Sequence, residues 1–114
     1  MIEVDVKNFI DNNLPYHSYV QKPPEINEPC FVIEKLGGSR EEFIDTATMA
    51  IQTYAPTPYQ AASTSETMIN AMLEEFIELP NIAKIELNSS YNYPDTTTKN
   101  YRYQTVFEIY YYGG

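Results

Sequence analysis

The chain has 114 residues, enough for one domain and too few for a second core. Hydrophobic residues make up 43% of it, too many for a disordered chain. Sixteen Asp and Glu against seven Lys and Arg give a formal net charge of -9, which repels phosphate backbones and anionic lipid alike. Direct nucleic-acid binding and membrane binding are therefore not expected.

Ile2, Val6, Phe9, Ile10 and Leu14 recur at helical spacing, so residues 2–13 read as an amphipathic helix that Asn12, Asn13 and Pro15 bring to an end. Pro15, Pro23, Pro24 and Pro29 mark residues 15–29 as a loop. The apolar run 30–36 reads as a strand, and residues 37–42 (Gly-Gly-Ser-Arg-Glu-Glu) as a hairpin turn. A strand over 43–54 follows, with Phe43, Ala47, Met49 and Ile51 on one face and Thr46, Thr48 and Gln52 on the other. Thr57-Pro58-Tyr59-Gln60 then opens a helix with Thr at N-cap, Pro at N1 and Gln at N3, a capping box. Its stripe of Ile69, Met72, Leu73, Phe76 and Ile77 runs on to Leu79, where Pro80 closes it, roughly 33 Å in all. Residues 82–91 alternate again, with Ala83, Ile85 and Leu87 opposite Lys84, Glu86 and Asn88. The polar stretch 88–100 reads as a long hairpin loop, and 101–112 as the last strand, with Tyr101, Tyr103, Phe107, Ile109 and Tyr111 on one face. The order α-β-β-α-β-β predicts a single α+β domain over residues 1–114: an antiparallel four-stranded sheet with helices packed on one face.

No catalytic constellation stands out. The single histidine, His17, lies between Tyr16 and Ser18 in the proline-rich loop and reads as an exposed contact residue. The single cysteine, Cys30, begins an apolar run and reads as a buried small hydrophobe that requires no oxidising compartment. One His and one Cys would need two carboxylates to complete a tetrahedral zinc site. Gly37-Gly38-Ser39-Arg40 lacks the Gly-Lys-Thr ending of a phosphate loop and sits between strands. The pairs Glu41-Glu42 and Glu74-Glu75 lack neighbours that would raise a carboxyl pKa for acid–base work. No enzyme, cofactor or metal is expected. The first twenty residues show no charged-then-apolar signal pattern, and no apolar stretch approaches the ~20 residues that span a bilayer, so a cytosolic start is expected.

Contact surfaces are the better lead. Helix 57–79 has no Lys or Arg, and Glu74, Glu75 and Glu78 crowd its C-terminal end, where the helix dipole disfavours anions. That end is a solvated face, or it meets a basic partner or lines an acidic pore. Tyr93, Tyr110 and Tyr112 belong to a tyrosine cluster across the last hairpin, which fits either a subunit contact or cross-strand pairing inside the fold. The loops add Tyr16, His17 and Tyr19 from 16–29, Arg40 from 37–42, and Asp95 and Lys99 from 92–100. These twelve residues are the candidate assembly interface.

Longer segments carry a family likeness. Met-Ile-Glu-Val and Phe-Ile-Asp at the start, Val32-Ile33-Glu34-Lys35 followed by Gly37-Gly38-Ser39-Arg40, Ile44-Asp45-Thr46-Ala47 and Ala50-Ile51-Gln52-Thr53-Tyr54-Ala55 resemble the minor capsid or tail-terminator proteins of siphophages and prophages of Gram-positive bacteria. Asn88-Ser89-Ser90-Tyr91-Asn92 and Tyr101-Arg102-Tyr103-Gln104 extend the resemblance over nearly the whole chain. It implies an α+β structural virion subunit that forms a hexameric ring on the head-proximal end of the tail. That ring ends polymerisation of the tail-tube protein and offers a surface to the head connector. The resemblance places the protein in the host cytoplasm during assembly and at the head–tail junction of the virion afterwards. A monomeric adaptor or tail-assembly chaperone would share the acidity and the lack of catalytic groups, and oligomeric state separates the two.

Overall fold

Helix α1 spans Ile2–Asn13, and Ile2, Val6, Phe9 and Ile10 form its buried stripe. It stops at Leu14, which turns extended (ψ 154) because the residue before a proline cannot stay helical. Asn13 Nδ2 donates to the carbonyl of Phe9 (2.8 Å), folding the side chain back over the last turn. Helix α2 spans Pro58–Glu74 with Thr57 as N-cap, whose hydroxyl oxygen accepts from the Gln60 amide at 3.2 Å. Only this half of the capping box forms. The side-chain oxygen Oε1 of Gln60 accepts from the Thr57 hydroxyl instead (3.2 Å). The helix is shorter than the apolar stripe predicts: Phe76–Glu78 tighten into a single 3-10 turn, and Leu79 is extended ahead of Pro80. That turn delivers Phe76, fully buried, edge-on to Phe9 with ring centroids 5.3 Å apart.

The structure, a computed structural model, describes residues 1–94 and 100–113. Its strands are β1 (Ser18–Tyr19), β2 (Cys30–Glu41), β3 (Ile44–Ala55), β4 (Ile82–Asn92) and β5 (Tyr101–Tyr112), in the order β1-β2-β3-β5-β4. The fold is α+β with two helices and a five-stranded mixed sheet, where four antiparallel strands were expected. The additional strand, β1, pairs parallel with β2 through Ser18↔Phe31 and Tyr19↔Val32. Two residues carry no periodicity, and β1 exists because Asp11 holds it in place. The Asp11 carboxylate accepts from both the amide and the hydroxyl of Ser18 (2.8 Å each) and from Lys7 Nζ (2.6 Å).

The 37–42 turn is also corrected. β2 continues through Gly37 and Gly38 to Glu41, and only Glu42 and Phe43 lie outside the ladder, with Glu42 at φ 59. A positive φ at the first central residue alone is the sign pattern of a type II′ turn. Leu36 bulges between Lys35↔Met49 and Gly37↔Thr48. A Cβ at Gly38 would lie 2.9 Å from the Thr46 carbonyl oxygen, so close backbone approach, not a turn, requires glycine there. Phe43 therefore leaves the packed face expected for it and is 80% exposed.

Register assigns the faces. Phe31 and Ile33 of β2, Ala47, Met49 and Ile51 of β3, and Phe107 and Ile109 of β5 share the face covered by both helices, and all are buried. A bulge at Ala83 puts Ile82 and Ile85 on that side together, so Ala83 leaves the apolar side it was expected to share with Ile85 and is exposed. On the opposite face a small second cluster of Cys30, Val32 and Tyr54 forms under Ile26 of the proline-rich loop.

Candidate assembly interface

The candidate residues fall into two groups at opposite ends of the sheet. β3 alone spans twelve residues, about 37 Å at a rise of ~3.4 Å per residue, so no single contact patch holds both groups.

At one end stand Arg40, Tyr110 and Tyr112, with Glu74, Glu75 and Glu78 on the segment that leads into β4. Arg40 Nε lies 3.3 Å from an Asp45 carboxylate oxygen across the hairpin. Tyr110 sits half-buried on the face away from the helices, with Lys84 Nζ 5.5 Å from its ring centre. Its hydroxyl pKa is raised, first by a hydrogen bond to Glu86 and by that carboxylate's charge. The neighbouring Tyr111 is raised by burial first, then by Asp45, Glu3 and Asp5. Tyr112 is 53% exposed and pairs with Ile44, itself 37% exposed, directly beside Phe43. Glu74, Glu75 and Glu78 are all exposed.

At the other end, His17 and Tyr19 line a cavity of about 260 Å³ with Glu25, Glu28 and Cys30. Tyr16 is drawn away from them: it packs against the main core beside Leu14 and lines a separate pocket with Ser63 and Thr67. The Cys30 thiol is pushed up to about 11 by burial, then by the charge of Glu28, so it stays protonated and poorly nucleophilic at neutral pH. Among the described residues, no cluster of three or more His, Cys, Asp or Glu could hold a metal ion. Tyr93 stacks on Arg102, whose guanidinium carbon is 4.1 Å from the ring centre. Arg102 also donates to the Tyr93 carbonyl (2.8 Å) and the Tyr54 hydroxyl (3.0 Å), and so ties the base of the β4–β5 connection to the sheet. Asp95 and Lys99 lie outside the described residues.

Between the two ends the face away from the helices is a polar ladder. Thr48 donates to Glu108 (3.0 Å), Gln52 to Gln104 (3.1 Å), and Gln104 to the Tyr91 hydroxyl (2.7 Å). Each bond joins neighbouring strands, so these side chains satisfy one another across the sheet. Two surface features escaped the sequence reading: the apolar tip that Phe43 and Ile44 make beside Tyr112, and the Arg102 anchor. The odd–even pattern hid the first, because Phe43 keeps the parity of the packed face while the chain turns there. The even parity of Arg102 beside Tyr101 and Tyr103 was the available signal for the second.

Among the described residues, no helix is long and apolar enough to cross a membrane. No protein-family model matches this chain, and no curated protein resembles it closely enough to mark a relative.

Proposed function

We propose that this chain is a structural subunit of a tailed bacteriophage, the tail terminator or head–tail joining protein. It assembles as a hexameric ring at the head-proximal end of the tail tube. The ring ends tube polymerisation and presents a surface to the head-completion or connector protein. The subunit works in the host cytoplasm during assembly and then at the head–tail junction. The likeness of its segments to that family supports the reading, and the α+β architecture with two helices agrees with it.

One observation carries the reading at the level of the surface. Phe43, Ile44 and Tyr112 form a contiguous exposed apolar tip at one end of the sheet, where register sets Ile44 against Tyr112. A domain of this size gains nothing from leaving that tip in water, whereas an assembly subunit buries it against a neighbour. The exposed Glu74, Glu75 and Glu78 lie on the segment entering β4, and in a ring lumen they would let DNA pass without adhering.

Light scattering on the purified protein, alone and with its tail-tube protein, tests the reading together with negative-stain microscopy. Rings in solution, or rings that appear at tube ends, are the expected result. A strict monomer that never caps tubes removes the terminator reading in favour of an adaptor or chaperone.

A further inference from the structure

Both long edges of the sheet are open. Among the described residues, β2 beyond Val32 pairs only with β3, and β4 pairs only with β5. An open edge is a row of unmet backbone donors and acceptors, and it pairs readily with another strand. The order β1-β2-β3-β5-β4 also sets the directions. β2 runs against β3, β3 against β5, and β5 against β4, so β4 runs antiparallel to β2. A second copy in the same orientation thus brings its β2 antiparallel to the first copy's β4.

We propose that the subunits join in this way, the β4 edge of one copy pairing antiparallel with the β2 edge of the next to continue the sheet. This deepens the ring reading above and rests on it. Charge and side-chain alternation select the register. Lys84 and Glu86 of β4 lie on the face away from the helices, as do Glu34, Ser39 and Glu41 of β2. Alternation allows slips of two residues only. With Lys84 opposite Glu41, opposite charges meet, Glu86 faces Ser39, and Leu87, 42% exposed, faces Gly38, which has no side chain. A slip one way sets Glu86 against Glu41, a like-charge pair that destabilises a sheet. A slip the other way sets Lys84 against Ser39, so Lys84 keeps only Glu86 of its own strand (3.7 Å) and gains no charge partner across the contact. In the selected register β4 meets β2 on the stretch that β1 leaves free, since β1 covers only Phe31 and Val32. The contact is heterologous, so it propagates from copy to copy and closes into a ring where the rotation permits.

Cross-linking tests it. Within one chain, residues 41 and 84 are separated by three strand spacings, about 14 Å, too far for an internal disulfide. In a Cys30→Ala background, Lys84→Cys combined with Glu41→Cys is expected to give a ladder of covalent multimers on a non-reducing gel under mild oxidation. Neither single variant is expected to do so. A covalent dimer from Lys84→Cys alone indicates β4 pairing with β4 and overturns the proposal, as does the absence of any ladder. Charge inversion is the second measurement. Lys84→Glu is expected to shift the scattering mass toward monomer, and adding Glu41→Lys to restore it; failure of the double variant to restore it counts against the register. Capped tubes without a ladder remove this interface and keep the terminator reading. A ladder from open chains that neither close into rings nor cap tubes keeps the interface and removes the terminator reading.

Discussion

Replacing Asp11 with alanine is expected to remove about 2–3 kcal/mol of stability, because this one carboxylate ties α1 to β1. Ser18 is only 1% exposed, and its amide and hydroxyl both donate to Asp11 at 2.8 Å. A hydrogen bond to a charged group contributes ~1.5–3 kcal/mol, and a buried donor left without an acceptor costs ~1–3 kcal/mol. The hydroxyl keeps a second acceptor in the Lys7 carbonyl (3.4 Å), so the two losses do not add in full. The Lys7–Asp11 ion pair is partly exposed and, as an i,i+4 helix pair, adds only ~0.3–0.5 kcal/mol. At ~2.1 cal/mol/K of unfolding entropy per residue, a chain of this size loses about 4 °C of Tm per kcal/mol. Calorimetry on Asp11→Ala should show a fall of about 8–12 °C, and Lys7→Ala one of only about 2 °C, on the same scale. If Asp11→Ala melts with Lys7→Ala, the carboxylate does not hold β1 and the account of the fifth strand is wrong.

The same group gives a pH signature. Burial alone would raise its pKa, but the hydrogen bonds from Lys7 and Ser18 outweigh it, and the folded value lies below the ordinary 3.8. Folded Asp11 therefore binds fewer protons than unfolded Asp11 in that range, and stability rises with pH there. The Tm gap between wild type and Asp11→Ala should be constant from about pH 5 to 8 and narrow below about pH 4, near the unfolded aspartate value of ~3.9. A gap that stays constant to pH 2 would show that the charge plays no part.

Two further outcomes follow from the packing. Gly38→Ala is expected to cost about 1–3 kcal/mol through the 2.9 Å approach to the Thr46 carbonyl. Gly37→Ala meets nothing within 4 Å and should be neutral or slightly stabilising in urea unfolding, so equal effects from the two would contradict the close backbone approach at Gly38. Alkylation of Cys30 at pH 8 should be at least about tenfold slower in the folded protein than for an ordinary thiol of pKa ~8.5, since a value near 11 leaves far less thiolate and its greater nucleophilicity offsets only part of that loss. Fast labelling without unfolding would place that side chain at the surface.

Much of the scaffold was legible without coordinates because its signals are local. The stripe Ile2, Val6, Phe9, Ile10 and the Pro15 stop define α1 within one residue, and the Thr57-Pro58 start defines α2. The alternation of Ala47, Met49 and Ile51, and of Phe107 and Ile109, marks the face under the helices. The α2 stripe overran because Phe76 and Ile77 keep helical spacing while the backbone tightens before Pro80. The candidate interface was less legible. Its residues stand out only by type and position, and tertiary structure splits the described ones between two ends of the sheet and packs Tyr16 against the core.

What the sequence by itself determined is the order of the two helices and the four long strands, most of the apolar faces and the acidity. Only the tertiary structure decided the rest, because each remaining feature depends on residues far apart in the chain. β1 exists through Asp11 and Phe31, Gly38 is required by Thr46, and Phe43 is exposed because Glu42 takes the positive φ that the glycine pair seemed to offer. The two open edges follow from β5 pairing between β3 and β4, an order that alternation along single strands cannot encode.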